Sequence, residues 1–265
     1  MAEATAIAIG TPCWWELATK DTDAALAFYG GLCGWTSFVS DGSGMPYHHL
    51  HRGEKMFGGM YDMSNIPGME EVPAHWSTYF HCDDVDATAA KAVELGATMV
   101  KDPMDIPDTG RMAVLTDPTG AHFMLFCPAE NIADKPNAGV PDVIVWNELM
   151  TKDQAKAVEF YTNLFGYEVE DMPMGTDTIY KILKAGDKQI GGVFEMSGPE
   201  FEHGPPPNWM PYIGSDDVDA VAEKTKELGG SVVHGPADIP NNIGRFVVIQ
   251  DPTGAAIAFY KSAQG

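Results

Sequence analysis

The sequence predicts an α+β protein assembled from four copies of one βαβββ unit, and three observations carry that prediction. The chain repeats itself: residues 75–126, ending in GRMAVLTDPTGAHFMLF, align with 208–260, ending in GRFVVIQDPTGAAIAFY, with about half of the aligned positions identical. Upstream, WWELATKDTDAALAFYGGLCG (14–34) matches WNELMTKDQAKAVEFYTNLFG (146–166) at equal spacing. Each half then divides again into a strand, an amphipathic helix and three further strands. A chain of 265 residues favours two domains at roughly 100–200 residues each. We place them at residues 1–127 and 142–265, joined by a linker over 128–141 whose PAENIADKPNAGVP is rich in Pro, Ala and Asn and has no periodicity.

The elements follow in order. A strand over Cys13–Ala18 leads to Asp21 as N-cap; Ala25, Phe28, Tyr29 and Leu32 then fall at helical spacing, and Gly34 closes the helix. Strands are expected at Trp35–Val39, Tyr47–Leu50 and Met56–Tyr61, the last two around the turn Arg52-Gly53-Glu54. The second unit repeats the plan. Strand Trp76–His81 runs into Asp83 and Asp84 as caps, Val85, Ala89, Ala92 and Val93 form the buried stripe, and Gly96 ends the helix. Strands at Thr98–Val100, Met112–Leu115 and His122–Phe126 complete it, with Asp117-Pro118-Thr119-Gly120 as a type I turn before the last.

Composition narrows the function. With 45% hydrophobic and 20% charged residues the chain is an ordinary folded protein. Its 38 Asp and Glu against 16 Lys and Arg give a formal charge of −22, which repels phosphates and anionic headgroups, so neither nucleic acid nor membrane is an expected partner. No apolar run reaches the roughly 18 residues of a span, and the first ten residues lack the pattern of a signal peptide; a cytoplasmic location is expected. Cys13, Cys33, Cys82 and Cys127 contain no CxxC pair and read as reduced, mostly buried thiols.

The set of motifs, FY on the first helix, GR before the third strand and DPTG before the last, in paired βαβββ units, resembles the vicinal oxygen chelate superfamily of glyoxalase I, bleomycin-resistance proteins and extradiol dioxygenases. The four-unit chain with W-x-x-Y-x-x-x-D-D-V-D in both halves is similar to a bacterial group labelled glyoxalase/bleomycin-resistance or hydroxylase, with mycobacterial antigen relatives. The resemblance implies that two units wrap into one cup, giving two cup domains. It also implies a divalent metal in each cup, held by His, Gln or Glu on the first strand of each unit and Glu on the last.

This sequence departs from that ligand set. The first position, 14 residues before the Phe of FY, is Trp14 and Trp146; the next is Ser77 and Met210; four residues beyond the DPTG glycine come Met124 and Ala258; and the end of the first unit gives Met60 and Val193. None supplies a strong metal donor of the kind these metals use. Because residues two apart on a strand share a face, Glu16, His75 and His122 point into the first cup as a displaced two-His-one-carboxylate set, whereas the second half has Glu148, Asn208 and Ala256 there. No cofactor is expected; a divalent metal on Glu16, His75 and His122 is the alternative.

Other candidates take a structural and a functional reading. Glu16 and Glu148 occupy one repeated position and are general-base candidates if burial raises their pKa, while Arg111 and Arg245 are their natural salt-bridge partners. Tyr47, His49 and His51 share one face of a histidine-rich strand edge. Tyr79 and Tyr212 lie on the cup-facing register, whereas Trp76 and Trp209 face the helices. The pairs Gly58-Gly59 and Gly191-Gly192 lack a following helix and mark a bulge or a close backbone approach.

Two readings of function result. In the first, the cups, lined by Trp14, Met124, Trp146 and Met210, bind a flat or apolar small molecule, as the resemblance to bleomycin-resistance proteins implies; Glu16, His49, His75, Ser77, Tyr79, His122, Glu148, Asn208, Met210 and Tyr212 complete their walls. In the second, a glyoxalase-like lyase or a hydroxylase/dioxygenase acts in the first cup through Glu16, His75 and His122. A protein serving only through partner contacts is a third possibility. The covalent pseudo-twofold lets a monomer suffice, with a homodimer as the other option.

Overall fold

The computed structural model describes residues 8–40, 45–129, 143–175 and 178–264. In the first half these form β1 (Pro12–Thr19), α1 (Thr22–Cys33), β2 (Thr36–Ser40), β3 (Tyr47–Arg52), β4 (Lys55–Asp62), β5 (His75–His81), α2 (Val85–Glu94), β6 (Thr98–Ile106), β7 (Gly110–Thr116) and β8 (His122–Pro128). The second half repeats the order as β9 (Ile144–Thr151), α3 (Gln154–Phe165), β10 (Glu168–Pro173), β11 (Ile179–Ala185), β12 (Lys188–Glu195), β13 (Asn208–Gly214), α4 (Val218–Glu227), β14 (Ser231–Ile239), β15 (Gly244–Gln250) and β16 (Ala256–Ser262). The four βαβββ units expected from the repeat are all present. Most of the expected linker falls outside the described residues.

Each half makes one eight-stranded sheet, in the order β2-β3-β4-β1-β5-β8-β7-β6 and its counterpart β10-β11-β12-β9-β13-β16-β15-β14. The four central strands form two parallel pairs of opposite sense: β4 is parallel to β1, β1 antiparallel to β5, and β5 parallel to β8. The two units of a half therefore meet at the β1–β5 seam, and this seam carries the side chains of the candidate site.

Capping explains where the helices begin. Asp21, Asp84, Asp153 and Asp217 each accept a backbone N–H of the first turn, at 2.9–3.0 Å for the Ala24, Ala87, Lys156 and Ala220 nitrogens, a contribution of about 1 kcal/mol per cap. Gly34 and Gly166 close α1 and α3 in the left-handed conformation, at φ 67° and 77°, which glycine adopts without a Cβ penalty. In the DPTG turns the carboxylate of the Asp is the organiser: Asp117 Oδ1 accepts from the backbone N–H of Thr119, Gly120 and Ala121 and from the Thr119 hydroxyl.

The helix-bearing faces of the two sheets pack together. One apolar cluster joins Trp15, Leu17, Phe28, Tyr29 and Trp76 of the first half to Ile213, Val218, Val247, Ile257 and Phe259 of the second. Its counterpart joins Phe80, Phe123 and Leu125 to Leu149, Phe160, Tyr161 and Trp209. Reciprocal hydrogen bonds cross the same boundary. Tyr29 donates to Asp251 (3.1 Å) and accepts from Trp76 Nε1 (3.0 Å); Tyr161 donates to Asp117 (3.0 Å) and accepts from Trp209 Nε1 (2.8 Å). The FY tyrosine of each half is thus tied to the DPTG aspartate of the other, and Trp76 and Trp209 pack where expected.

Two local expectations are corrected. Val93 does not join the buried stripe of α2; it is 44% exposed, while Val85, Ala89 and Ala92 are buried. The strand after α2 does not stop at Val100 but runs to Ile106, because pairing with β7 resumes beyond two register shifts around Lys101. That stretch lies at a sheet edge and contains Pro103, so its sequence carries no clean alternation.

Candidate ligand-binding cups

The faces turned away from the shared core are the two cup interiors, and each centres on a glutamate. In the first cup the rung of side chains across the central strands reads Gly59, Glu16 and Ser77, and carrying the β5–β8 register back by two residues sets His122 beside Ser77. The neighbouring rung reads Trp14, Tyr79 and Met124. The second cup repeats this with Gly192, Glu148, Met210 and Ala256 on one rung and Trp146, Tyr212 and Ala258 on the next.

Hydrogen bonds fix each carboxylate. Tyr47 Oη donates to Glu16 Oε2 at 2.7 Å, Tyr79 Oη donates to Glu16 Oε1 at 2.8 Å, and Trp14 Nε1 donates to Tyr47 Oη at 3.0 Å. An indole N–H can only donate, so the Tyr47 oxygen accepts it while the phenol proton goes to Glu16. Both carboxylate oxygens are therefore acceptors. In the second cup Tyr212 donates to Glu148 Oε1 at 2.8 Å and Trp146 Nε1 donates to Tyr180 Oη at 2.9 Å, with Tyr180 near enough to Glu148 to lower its proton affinity.

Glycine makes the reach from β3 possible. A Cβ on Gly59 would stand 1.9 Å from Tyr47 Oη, and one on Gly192 would stand 2.1 Å from Tyr180 Oη. The preceding Gly58 and Gly191 leave room for the backbone carbonyls of Trp15 and Asn147, at 2.4 and 2.3 Å from such a Cβ. The Gly-Gly pairs are close approaches of backbone and ring, as the sequence reading had them.

Burial sets the electrostatics. Glu16 and Glu148 are surrounded by protein yet still touch solvent on the cup side; burial raises both pKa values above the ordinary carboxylate value, and the tyrosine hydrogen bonds oppose it. Burial and the adjacent glutamate push Tyr47, Tyr79, Tyr180 and Tyr212 well up, so they stay neutral donors. The walls are apolar: Cys13, Tyr79, Met124, Trp14, Met112, Val114 and Phe126 cluster in the first cup, and Met210, Tyr212, Trp146, Met150, Phe246 and Val248 in the second.

Several expectations about the site change. Arg111 and Arg245 are not partners of the glutamates: Arg111 binds Asp86 and Asp105, and Arg245 binds Asp219 and Asp238, all at 2.6–2.9 Å. The GR residues lie toward the outer end of the sheet, where helix and edge-strand aspartates reach them first. Ser77 and Met210 stand opposite Glu16 and Glu148, while Tyr79 and Tyr212 stand opposite Trp14 and Trp146. Met60 and Val193 point to the opposite face and are buried in the shared core.

Glu16, His75 and His122 are not brought together. Glu16 and His122 lie on one rung with Ser77 between them, and His75 lies one rung further, opposite Ala18. His75 Nδ1 is 2.8 Å from the Pro73 carbonyl and His122 Nδ1 is 3.1 Å from Thr116 Oγ1. His122 is exposed, and partial desolvation together with His75 lowers its pKa. Among the described residues no group of three or more His, Cys, Asp or Glu is placed to hold a metal ion. With Glu16 already accepting two phenol protons, this donor set does not fit a facial triad.

His49 stands at the rim of the first cup, stacked on Phe38 at 4.5 Å and edge-on to Trp14 at 6.4 Å, with Nε2 2.9 Å from Ser40 Oγ. Asn208 opens β13, its Nδ2 donating to the Pro206 carbonyl. The residues that sequence reasoning missed are Tyr47 as a partner of Glu16 and Tyr180 as a partner of Glu148. The repeat did hold the signal, since 59 − 47 and 192 − 180 both equal 12, so Tyr and Gly recur at one spacing.

Two sheets of paired βαβββ units, each with a cup built across the β1–β5 or β9–β13 seam, define the class. The chain belongs to the glyoxalase/bleomycin resistance protein/dioxygenase superfamily, whose family model matches residues 12–125 and 143–259. Among similar proteins is CFP32 of Mycobacterium tuberculosis, provisionally named a glyoxylase, 36% identical over 96% of this chain and 95% of its own length. The anthracycline biosynthesis protein DnrV of Streptomyces peucetius is 32% identical over 98% of this chain and 96% of its own. Solved structures share the fold: a Mn(II)-bound glyoxalase from Novosphingobium aromaticivorans has TM-score 0.65 at 17% identity, covering 96% of this chain and 82% of that one. A homoprotocatechuate 2,3-dioxygenase variant from B. fuscum has TM-score 0.66 at 16% identity, covering 97% and 72%.

Proposed function

We propose that this protein is a small-molecule-binding member of its superfamily, each cup taking a flat, largely apolar molecule against Trp14 and Met124 or Trp146 and Met210. The observation that carries this reading is the floor repeated in both halves, Trp, Tyr, Glu, Tyr, set within an apolar wall. A few convergent polar groups in an apolar, aromatic concavity are what small-molecule sites require. The names of the relatives agree with such a ligand, since anthracyclines are flat polycyclic aromatics. The protein works as a monomer, its two cups opening away from the shared core.

Doxorubicin, an anthracycline, is the probe. Titration in 0.15 M salt is expected to quench tryptophan fluorescence saturably, with Trp14→Ala and Trp146→Ala each weakening binding by about tenfold, the loss of one well-buried aromatic contact. Neither substitution changes the charge, so attraction of the cationic drug to an acidic protein is common to all three proteins. Binding that both variants leave unchanged contradicts the reading.

A further inference from the structure

Each cup floor centres on a carboxylate acceptor whose tyrosine donors are already committed to it, and this specifies what the polar end of a ligand must be. Four observations combine. A carboxylate has about four lone-pair positions, and two phenol protons occupy only two of those on Glu16. The phenol of Tyr47 accepts from the Trp14 indole and commits its own proton to Glu16, and Tyr180 accepts likewise from Trp146. The groups that set the proton affinity of Glu16 and Glu148 are burial and tyrosines, with no cation among them. The arginines repeated in both halves, Arg111 and Arg245, are spent on Asp86, Asp105, Asp219 and Asp238.

We propose that the cups select flat aromatic molecules whose polar end is a donor, a protonated amine or a neutral hydroxyl, and reject the carboxylates and phosphates of the same frame, with Glu16 and Glu148 as the specificity-determining residues. This rests on the reading of the cups as ligand sites. An anionic group at the floor would face a half-buried carboxylate without a counter-charge, in a protein of net charge −22, and neither burial nor the surrounding field offsets that repulsion. A donor finds two free lone-pair positions already oriented by the tyrosines.

The two cups differ in how polar a frame they take. Ser77 and His122 share the rung of Glu16, with His75 beyond, whereas Met210 and Ala256 share the rung of Glu148. The first cup therefore accepts a ligand with a second polar substituent beside its donor, and the second cup prefers a bare hydrocarbon frame.

Calorimetric titration with four naphthalenes of one shape tests this: 2-(aminomethyl)naphthalene, 2-naphthol, 2-methoxynaphthalene and 2-naphthoate. The amine is expected to bind about tenfold or more tighter than the naphthoate, as a hydrogen bond to a charged group predicts, with the naphthol between the amine and the methoxy compound. In the double variant Glu16→Gln/Glu148→Gln, whose melting temperature checks folding, the amine and naphthoate are expected to converge to within about threefold. Four compounds that bind equally, or a preference that survives the double variant, overturn the proposal while leaving the cups as ligand sites. If none of the four binds, the underlying reading falls with it.

Discussion

Glu16 trades solvation for the phenol donors Tyr47 and Tyr79, and Glu148 for Tyr212 with Tyr180 beside it, and that exchange leaves a thermodynamic trace. A carboxyl whose folded pKa is raised binds its proton more tightly in the native state than in the unfolded chain. Its contribution to stability is fully present below the ordinary value of 4.5 and is lost as pH rises through the raised native value. Glu16→Gln/Glu148→Gln removes that loss. Scanning calorimetry of both proteins is therefore expected to show the variant gaining on the wild type in melting temperature as pH climbs from about 4.5 towards neutrality, with no such trend below. A difference independent of pH would show that burial does not hold these carboxyls up. The sequence placed both glutamates on the cup face by strand alternation alone. It could not name their partners, because Tyr47 reaches Glu16 across β4, a contact that no local pattern encodes. The arginine pairing it suggested failed for a related reason: the GR arginines are captured by aspartates on α2 and β6, and on α4 and β14, before they can reach the sheet centre.

At the level of elements, β4 and β12 owe their glycine pairs to the rings that lie on them. Gly59→Ala and Gly192→Ala each insert a methyl where a tyrosine hydroxyl stands, at 1.9 and 2.1 Å, and neither glycine requires a positive φ. The tyrosine must swing away and release its glutamate. The expected outcome is a destabilisation of about 1–3 kcal/mol per site, the usual cost of overpacking, and loss of amine selectivity in the affected cup; denaturant unfolding and the naphthalene titration measure the two effects. An alanine that changes neither would mean that the tyrosine is free to adjust. Strands, helices and caps were legible because each obeys a local rule: Asp at the N-cap, Gly at the C-cap, alternation along β1, β5 and β8. Register was not. Trp14 stands opposite Tyr79, and Ser77 opposite Glu16, and which residues share a rung is set by pairing between strands that no single strand's alternation encodes. The length of β6 escaped for the same reason, since its pairing resumes beyond two irregularities.

Across the whole molecule, duplication sets both the packing and the function. Each FY tyrosine donates to the DPTG aspartate of the other half, so the motifs that most clearly revealed the repeat are the ones that join its two copies. The helix-bearing faces are buried between the sheets, which leaves the cup faces on the outside and chemically unequal, the first with Ser77 and His122 on the rung of its glutamate, the second with Met210 and Ala256 there. The central claim is that these cups are ligand sites whose floor is a carboxylate held by two tyrosines. A crystal structure of the protein soaked with 2-(aminomethyl)naphthalene tests it most directly. The account predicts the ring against Trp14 or Trp146 with the amine nitrogen within about 3 Å of Glu16 or Glu148. A ligand lodged outside both cups, or a cation bound by Glu16, His75 and His122 at the first floor, would contradict it.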